Sequence, residues 1–299
     1  MRCQTTIVLV VMALTMIGAD VVTQAPPGQA GGRAGGAPAP PAGGGFAKRP
    51  DLLASIWNAP STVARTKLRH EWADIPSGAT KLRAWIEYPG GDAKAPVVLV
   101  MSHESGLDDM TRAVADQLAT EGFIAVAPDL LTGFGPNGGN YDAFKTPDEA
   151  IRAMRAKVMP REATRRYFAA GAYGAKLPRA NGKIGSMGFG VGGTFSFRFA
   201  AEAPTADAAV VFYGPPPDQA TLRNTTAPII GFYGEDDPAV TRTVDATAAV
   251  LKGAGKSFEH HTYPGATHDF AFIQIEGRNG PAIQDAWKRA TAFLKEHLQ

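Results

Sequence analysis

The sequence predicts an α/β fold, a mostly parallel central sheet with helices on both faces. Short, near-continuous apolar runs recur along the chain, as they do in parallel strands covered on both sides. Stretches of helical pattern separate these runs at the spacing of strand–helix–strand units. The residues directly after several runs are rich in glycine, acids and histidine, and open parallel sheets bind ligands beyond the carboxyl ends of their strands.

Residues 81–88 (KLRAWIEY) alternate polar and apolar side chains, the pattern of a half-buried strand. Residues 96–101, 123–127, 184–187, 208–213 and 229–233 read as buried strands, and 257–263 as a more polar one. Helical patterns occupy 109–121, 150–173 in pieces, 194–201, 240–252 and 283–298. Neither an internal repeat nor a shift in composition divides this region, so residues 51–299 are expected to form a single domain.

The first fifty residues read differently. Met1 and Arg2 precede an apolar stretch over 7–19, and Gly18-Ala19 before Asp20 offers a small-residue cleavage point. Residues 1–19 are therefore expected to be a signal peptide. The stretch is short of the ~20 residues that span a bilayer, so no stable membrane insertion is expected once the signal is cleaved. An uncleaved anchor is the alternative. Residues 20–50, mostly Gly, Ala and Pro, read as a disordered linker with little to bury. The expected localisation is export, to the periplasm or the medium. Cys3 is the single cysteine and precedes the apolar stretch. A mature chain would then hold no thiol for catalysis, disulfides or metal thiolates. Thirty basic against 28 acidic residues leave no surplus for a phosphate backbone, so nucleic acid is not an expected partner.

Four loops follow predicted strands: His103-Glu104-Ser105-Gly106, Gly188-Phe189-Gly190-Val191-Gly192-Gly193, Gly234-Glu235-Asp236-Asp237 and Gly265-Ala266-Thr267-His268. The glycine-rich loop is not a Walker motif, because Thr194-Phe195 stands where Lys-Ser/Thr is needed. A dinucleotide fingerprint belongs in the first βαβ unit, whereas this loop comes late and lacks the following acidic residue. Its strand–turn–helix setting fits a nucleophile elbow, in which flanking glycines let neighbouring chains pass closely.

With these landmarks, and with Ala127-Pro128-Asp129-Leu130, Phe212-Tyr213-Gly214 and His268-Asp269-Phe270, the chain resembles the dienelactone hydrolase family over about residues 60–299. The resemblance implies an α/β-hydrolase fold, no cofactor, and a small-molecule ester or lactone as partner. It also implies His268 as general base and Asp237 as its orienting carboxylate, with Asp236 and Glu235 as competing acids. Glu104 would be the carboxylate that helps activate the nucleophile, and the Val191 N–H and the Ser105 loop would form the oxyanion site. The family's elbow carries cysteine where this chain has Gly190, which has no side chain to attack with.

Three readings follow from that departure. Water could attack, deprotonated by His268 and held by Val191 N–H. A serine could be relocated, with Ser105 in the neighbouring loop and Ser186 as a buried strand hydroxyl. Catalysis could also have been abandoned, leaving a pocket that binds a small ester, lactone or carboxylate. His103 reads as structural. His260 and His261 should point to opposite strand faces, and His70 and His297 have no partners at ligand spacing, so no metal site is indicated. Phe189, Phe212, Tyr213, Phe232, Tyr233 and Phe270 read mainly as core with a pocket-lining alternative. Arg161, Arg165 and Arg166 form a basic helical face, either solvated or a carboxylate clamp. The sequence does not bear on oligomeric state.

Overall fold

The computed structural model describes residues 53–78, 80–274 and 278–299. The expected signal peptide and linker lie outside the described residues. The strands are β1 (His70–Ser77), β2 (Thr80–Glu87), β3 (Ala95–Met101), β4 (Ile124–Pro128), β5 (Ala180–Phe189), β6 (Ala208–Phe212), β7 (Ile229–Asp236) and β8 (Phe258–Thr267). The helices are α1 (Ala59–Arg65), α2 (Asp109–Thr120), α3 (Pro147–Ala153), α4 (Arg161–Gly174), α5 (Val191–Glu202), α6 (Gln219–Arg223), α7 (Pro238–Thr241), α8 (Val244–Gly253) and α9 (Gly280–Leu298).

Every residue of β3 is buried, and its side chains alternate between two cores. Val98 and Val100 enter a core shared with α2 and α9, while Val97, Leu99 and Met101 enter one shared with α3, α4 and α5. A third cluster joins Phe197 of α5 and Val211 of β6 to Val244 and Leu251 of α8. Burial on both faces is what turns these strands into continuous apolar runs. The strands form one sheet in the order β1-β2-β4-β3-β5-β6-β7-β8. β1 and β2 pair antiparallel, as do β2 and β4, and all later pairings are parallel.

The expected strands and helices are present with shifted ends. β2 does not alternate as its sequence suggests, because it lies between β1 and β4 and its last residues Trp85, Ile86 and Glu87 are all buried. The 150–173 stretch divides into α3, a π-helical turn at Met154–Val158, and α4. α1, β1 and α6 lie outside the elements that the sequence pattern predicts. No helix among the described residues is long and apolar enough to cross a membrane.

Glu87 is 1% exposed. Its carboxyl accepts from Trp85 Nε1 at 3.1 Å and from the Thr66 hydroxyl, just past α1, at 3.0 Å. Burial chiefly, with Asp116 of α2 nearby, pushes its pKa up to about 7. A carboxyl raised in the folded state favours folding fully below its unfolded value and loses that contribution as pH rises through about 7. Thermal melts from pH 5 to pH 8 should therefore show wild-type stability declining by on the order of 1–2 kcal/mol relative to Glu87→Gln, or roughly 2–8 °C. Parallel Tm curves for the two proteins would show that Glu87 is already ionised in the fold.

Candidate active site

The glycine-rich loop is built by close backbone approach. A Cβ on Gly188 would lie 2.1 Å from the Gly192 carbonyl oxygen, and one on Gly192 would lie 2.1 Å from that of Met101, at the end of β3. A Cβ on Gly193 would lie 2.8 Å from Gly214 Cα, just past β6. Three strand ends and the start of α5 thus meet where no side chain fits. Gly190 is different. It sits at the apex with φ 54° and ψ −119°, yet a Cβ there would meet no heavy atom within 4 Å. Space does not demand glycine at 190; the backbone conformation favours it. α5 begins at Val191, whose N–H is among the first-turn donors that lack an intrahelical acceptor.

Beyond β7 and β8 lie an acid and a base. His268 Nδ1 hydrogen-bonds Asp237 Oδ2 at 2.6 Å across 31 residues of sequence. The Asp237 side chain is 7% exposed and the His268 side chain 45%. The competing acids are occupied elsewhere, since Asp236 pairs with Arg278 and Glu235 accepts the Gly265 N–H at 3.0 Å. The Asp237 hydrogen bond raises the His268 pKa above its ordinary 6.5; burial opposes this, and the charges of Asp269 and Asp237 add to it. A Cβ on Gly234 would lie 2.4 Å from the Ala266 carbonyl oxygen, so the two loops are pressed together at this point. The histidine loop is also tied down by Asn279, which takes the Thr267 N–H on its Oδ1 and donates its Nδ2 to Ile273 O.

An aromatic floor lies beside this pair. The Tyr213 ring is 5.1 Å from His268 and 6.4 Å from Phe189, and Phe189 lies 4.7 Å from Phe272. Phe212, Phe232, Tyr233 and Phe270 are buried core, as expected of covered strands.

The dienelactone hydrolase family profile matches residues 82–298. A Saccharolobus solfataricus protein named, provisionally, a carboxymethylenebutenolidase is 33% identical over 73% of this chain and 95% of its own length. Protein usf of Aquifex pyrophilus is 31% identical over 76% of this chain and 99% of its own. The chain belongs to the dienelactone hydrolase family. Its fold is shared with the dienelactone hydrolase of Anabaena variabilis, with a TM-score of 0.62 at 20% identity over 78% of this chain and all of that one. It is shared also with a dienelactone hydrolase-like promiscuous phosphotriesterase from metagenomic libraries, with a TM-score of 0.65 at 22% identity over 78% and 99%.

In this dienelactone hydrolase family member Glu104 is paired with Arg155, which contacts its Oε2 from Nε at 2.9 Å and from Nη2 at 2.5 Å. Ser105 is 4% exposed, and its hydroxyl donates to Asp108 Oδ2 at 2.9 Å. His103 Nε2 lies 3.1 Å from that hydroxyl and 3.2 Å from Asp108 Oδ2. Hydroxyl and carboxylate thus share one ring nitrogen, whereas a serine relay needs one on each. Burial alone would lower the His103 pKa, but Asp108 raises it on balance. Burial works against ionised Asp108 too, yet His103, Thr111 and Ser105 hold its pKa down to about 2. His103 Nδ1 in turn accepts the Ser105 N–H at 3.3 Å, so this part-buried hydrogen-bonded cluster shapes the loop.

Ser186 is a fully buried strand hydroxyl 2.7 Å from Ser196 Oγ. His260 packs beside Phe258 and His261 beside Phe232, on opposite faces of β8. The carboxylate-clamp alternative for the arginine face is corrected at two of its three positions. Arg165 is engaged by Glu162 and Ser77, and buried Arg166 by Glu162 and the carbonyls of Leu130 and Thr132, because both arginines tie α4 to its surroundings.

Two measurements probe this construction. Gly192→Ala should abolish soluble folded protein, whereas Gly190→Ala should cost only ~1–3 kcal/mol in thermal melts; equal losses would mean that the apex is as crowded as its flanks. Asp237→Asn should lower hydrolytic kcat by ~10²–10⁴-fold and Asp236→Asn by less than about threefold. The reverse order would reassign the acid.

Proposed function

We propose that this chain is an exported hydrolase of a small ester or lactone, in which water takes the part of the missing elbow side chain. The observation that carries this reading is the 2.6 Å bond between His268 Nδ1 and buried Asp237. A carboxylate on Nδ1 leaves the Nε2 lone pair free to accept a proton and stabilises the imidazolium that results. Water bound beside Gly190 gives its proton to Nε2 and its oxygen attacks the acyl carbon. The oxyanion that forms is met by the Val191 N–H at the start of α5. The name of the Saccharolobus relative, an enzyme of a butenolide lactone, supports a lactone as substrate. Export rests on the N-terminal sequence pattern alone.

Purified protein, Gly190→Cys and His268→Ala should be assayed with p-nitrophenyl acetate and a dienelactone. Turnover by the wild type that falls at least ~10²-fold in His268→Ala supports the proposal. Wild-type activity should also fall as pH drops through the raised His268 value, above 6.5, where Nε2 becomes protonated. A silent wild type that gains activity in Gly190→Cys identifies an inactive pocket protein instead.

A further inference from the structure

His268 meets carboxylates at both ring nitrogens. Asp237 is bonded to Nδ1, and Asp269 Oδ1 stands 3.7 Å from Nε2, the nitrogen that must receive the proton. At that separation the direct hydrogen bond is too long, but one water lying to the side of the two atoms can hydrogen-bond both at once. The backbone places the Asp269 carboxylate there at a conformational cost. Asp269 has φ +55°, a left-handed conformation uncommon outside glycine, and its carbonyl is held by the N–H groups of Phe272 and Ile273, each at 2.8 Å. Its side chain remains part-exposed at 44%.

The other groups around the imidazole are Asp237 from the loop after β7 and Tyr213 from the end of β6. Across the Phe272 ring, 5.3 Å from it, lies His103, with Glu104 and Asp108 beside it. The Asp269 charge reaches His268, His103 and Tyr213 and raises the pKa of each, which fits a carboxylate standing among all three.

We infer that Asp269 is a positioning residue for the hydrolytic water, holding it against His268 Nε2 in place of a side chain at 190. The inference rests on the function proposed above. Asp269 accepts one water hydrogen and stays ionised. The other O–H bond breaks as its proton moves to Nε2 and the oxygen bonds to the acyl carbon. When the tetrahedral intermediate collapses, the bond to the leaving oxygen breaks and that oxygen takes the proton from Nε2. Ester and water become acid and alcohol, with His268 restored.

The test is Asp269→Asn, since asparagine tolerates a left-handed backbone, together with Asp269→Gly, which relieves it. Steady-state hydrolysis of p-nitrophenyl acetate across pH and an NMR titration of His268 are the readouts. Both variants should fold, lose ~10²-fold in kcat with KM within about twofold, and titrate His268 at lower pH than the wild type. An active wild type whose variants keep its kcat, or its His268 titration, overturns the inference alone. ¹⁸O from labelled water appearing in the Asp269 carboxylate overturns it in favour of a covalent role. A silent wild type overturns it together with the proposed function.

Discussion

The site depends on backbone contact too close to admit side chains. Gly188 presses on Gly192, Gly192 on the Met101 and Ser102 carbonyls, and Gly193 on Gly214, so the ends of β3, β5 and β6 are clamped against the first turn of α5. A slip of one residue in this turn would force a Cβ into a gap of about 2 Å, which no rotamer change relieves. The apex residue and the N–H groups that open α5 are consequently held in one relation to the loop after β3. Strain at a single apex residue survives because the surroundings over-determine it. The conformation of Gly190 is thus imposed by its neighbours, while its lack of a side chain is a separate fact about chemistry.

Electrostatics complete what packing begins. Near His268 the carboxylates are sorted by their partners. Asp236 is neutralised by Arg278, Glu235 is bonded to the backbone, and Asp237 is buried against the imidazole. Asn279, fully buried at the start of α9, ties the histidine loop at Thr267 and Ile273, so the α9 packing that fills the core also fixes where His268 stands. In the loop after β3, Glu104 pairs with Arg155 at the surface, and His103, Ser105 and Asp108 bond to one another.

The covered strands were legible because burial on both faces writes an uninterrupted apolar run, and 96–101 becomes β3 with little change. β1 was not legible. It is an edge strand in which only Ile75 and Ser77 are buried, so the pattern of HEWADIPS resembles a loop. The family resemblance implied the pairing of His268 with Asp237, which the 2.6 Å hydrogen bond shows, but the choice among three consecutive acids became structural only with Arg278 and Gly265 in place. Asn279 carried no such signal, because it works through hydrogen bonds to a loop twelve residues away. Asp269 stood in the His268-Asp269-Phe270 landmark, but its positive φ and its approach to Nε2 are not written in the sequence. For the arginine face neither reading covers Arg166, which is buried against Glu162 and two carbonyls, because helical periodicity shows which residues share a face and not whether partners already engage them.

Under the proposed mechanism, an elbow without a side chain changes which substrates are within reach. A covalent nucleophile divides hydrolysis into two easier steps, and its absence removes that gain. What the proposed mechanism retains is a positioned base, worth ~10²–10⁴ in rate, and an oxyanion donor, worth ~10²–10³. Together these supply roughly 10⁴–10⁷ over water, near the low end of enzymatic acceleration. That suffices where the ground state is already activated, as in a strained or conjugated lactone or an ester with a stabilised leaving oxygen. It falls far short for an amide, whose leaving nitrogen must be protonated and whose uncatalysed hydrolysis is much slower. Under that reading the missing side chain narrows the substrate to those acyl compounds that water attacks most readily, and the half-open imidazole, with a carboxylate on either side, fits a site that handles water.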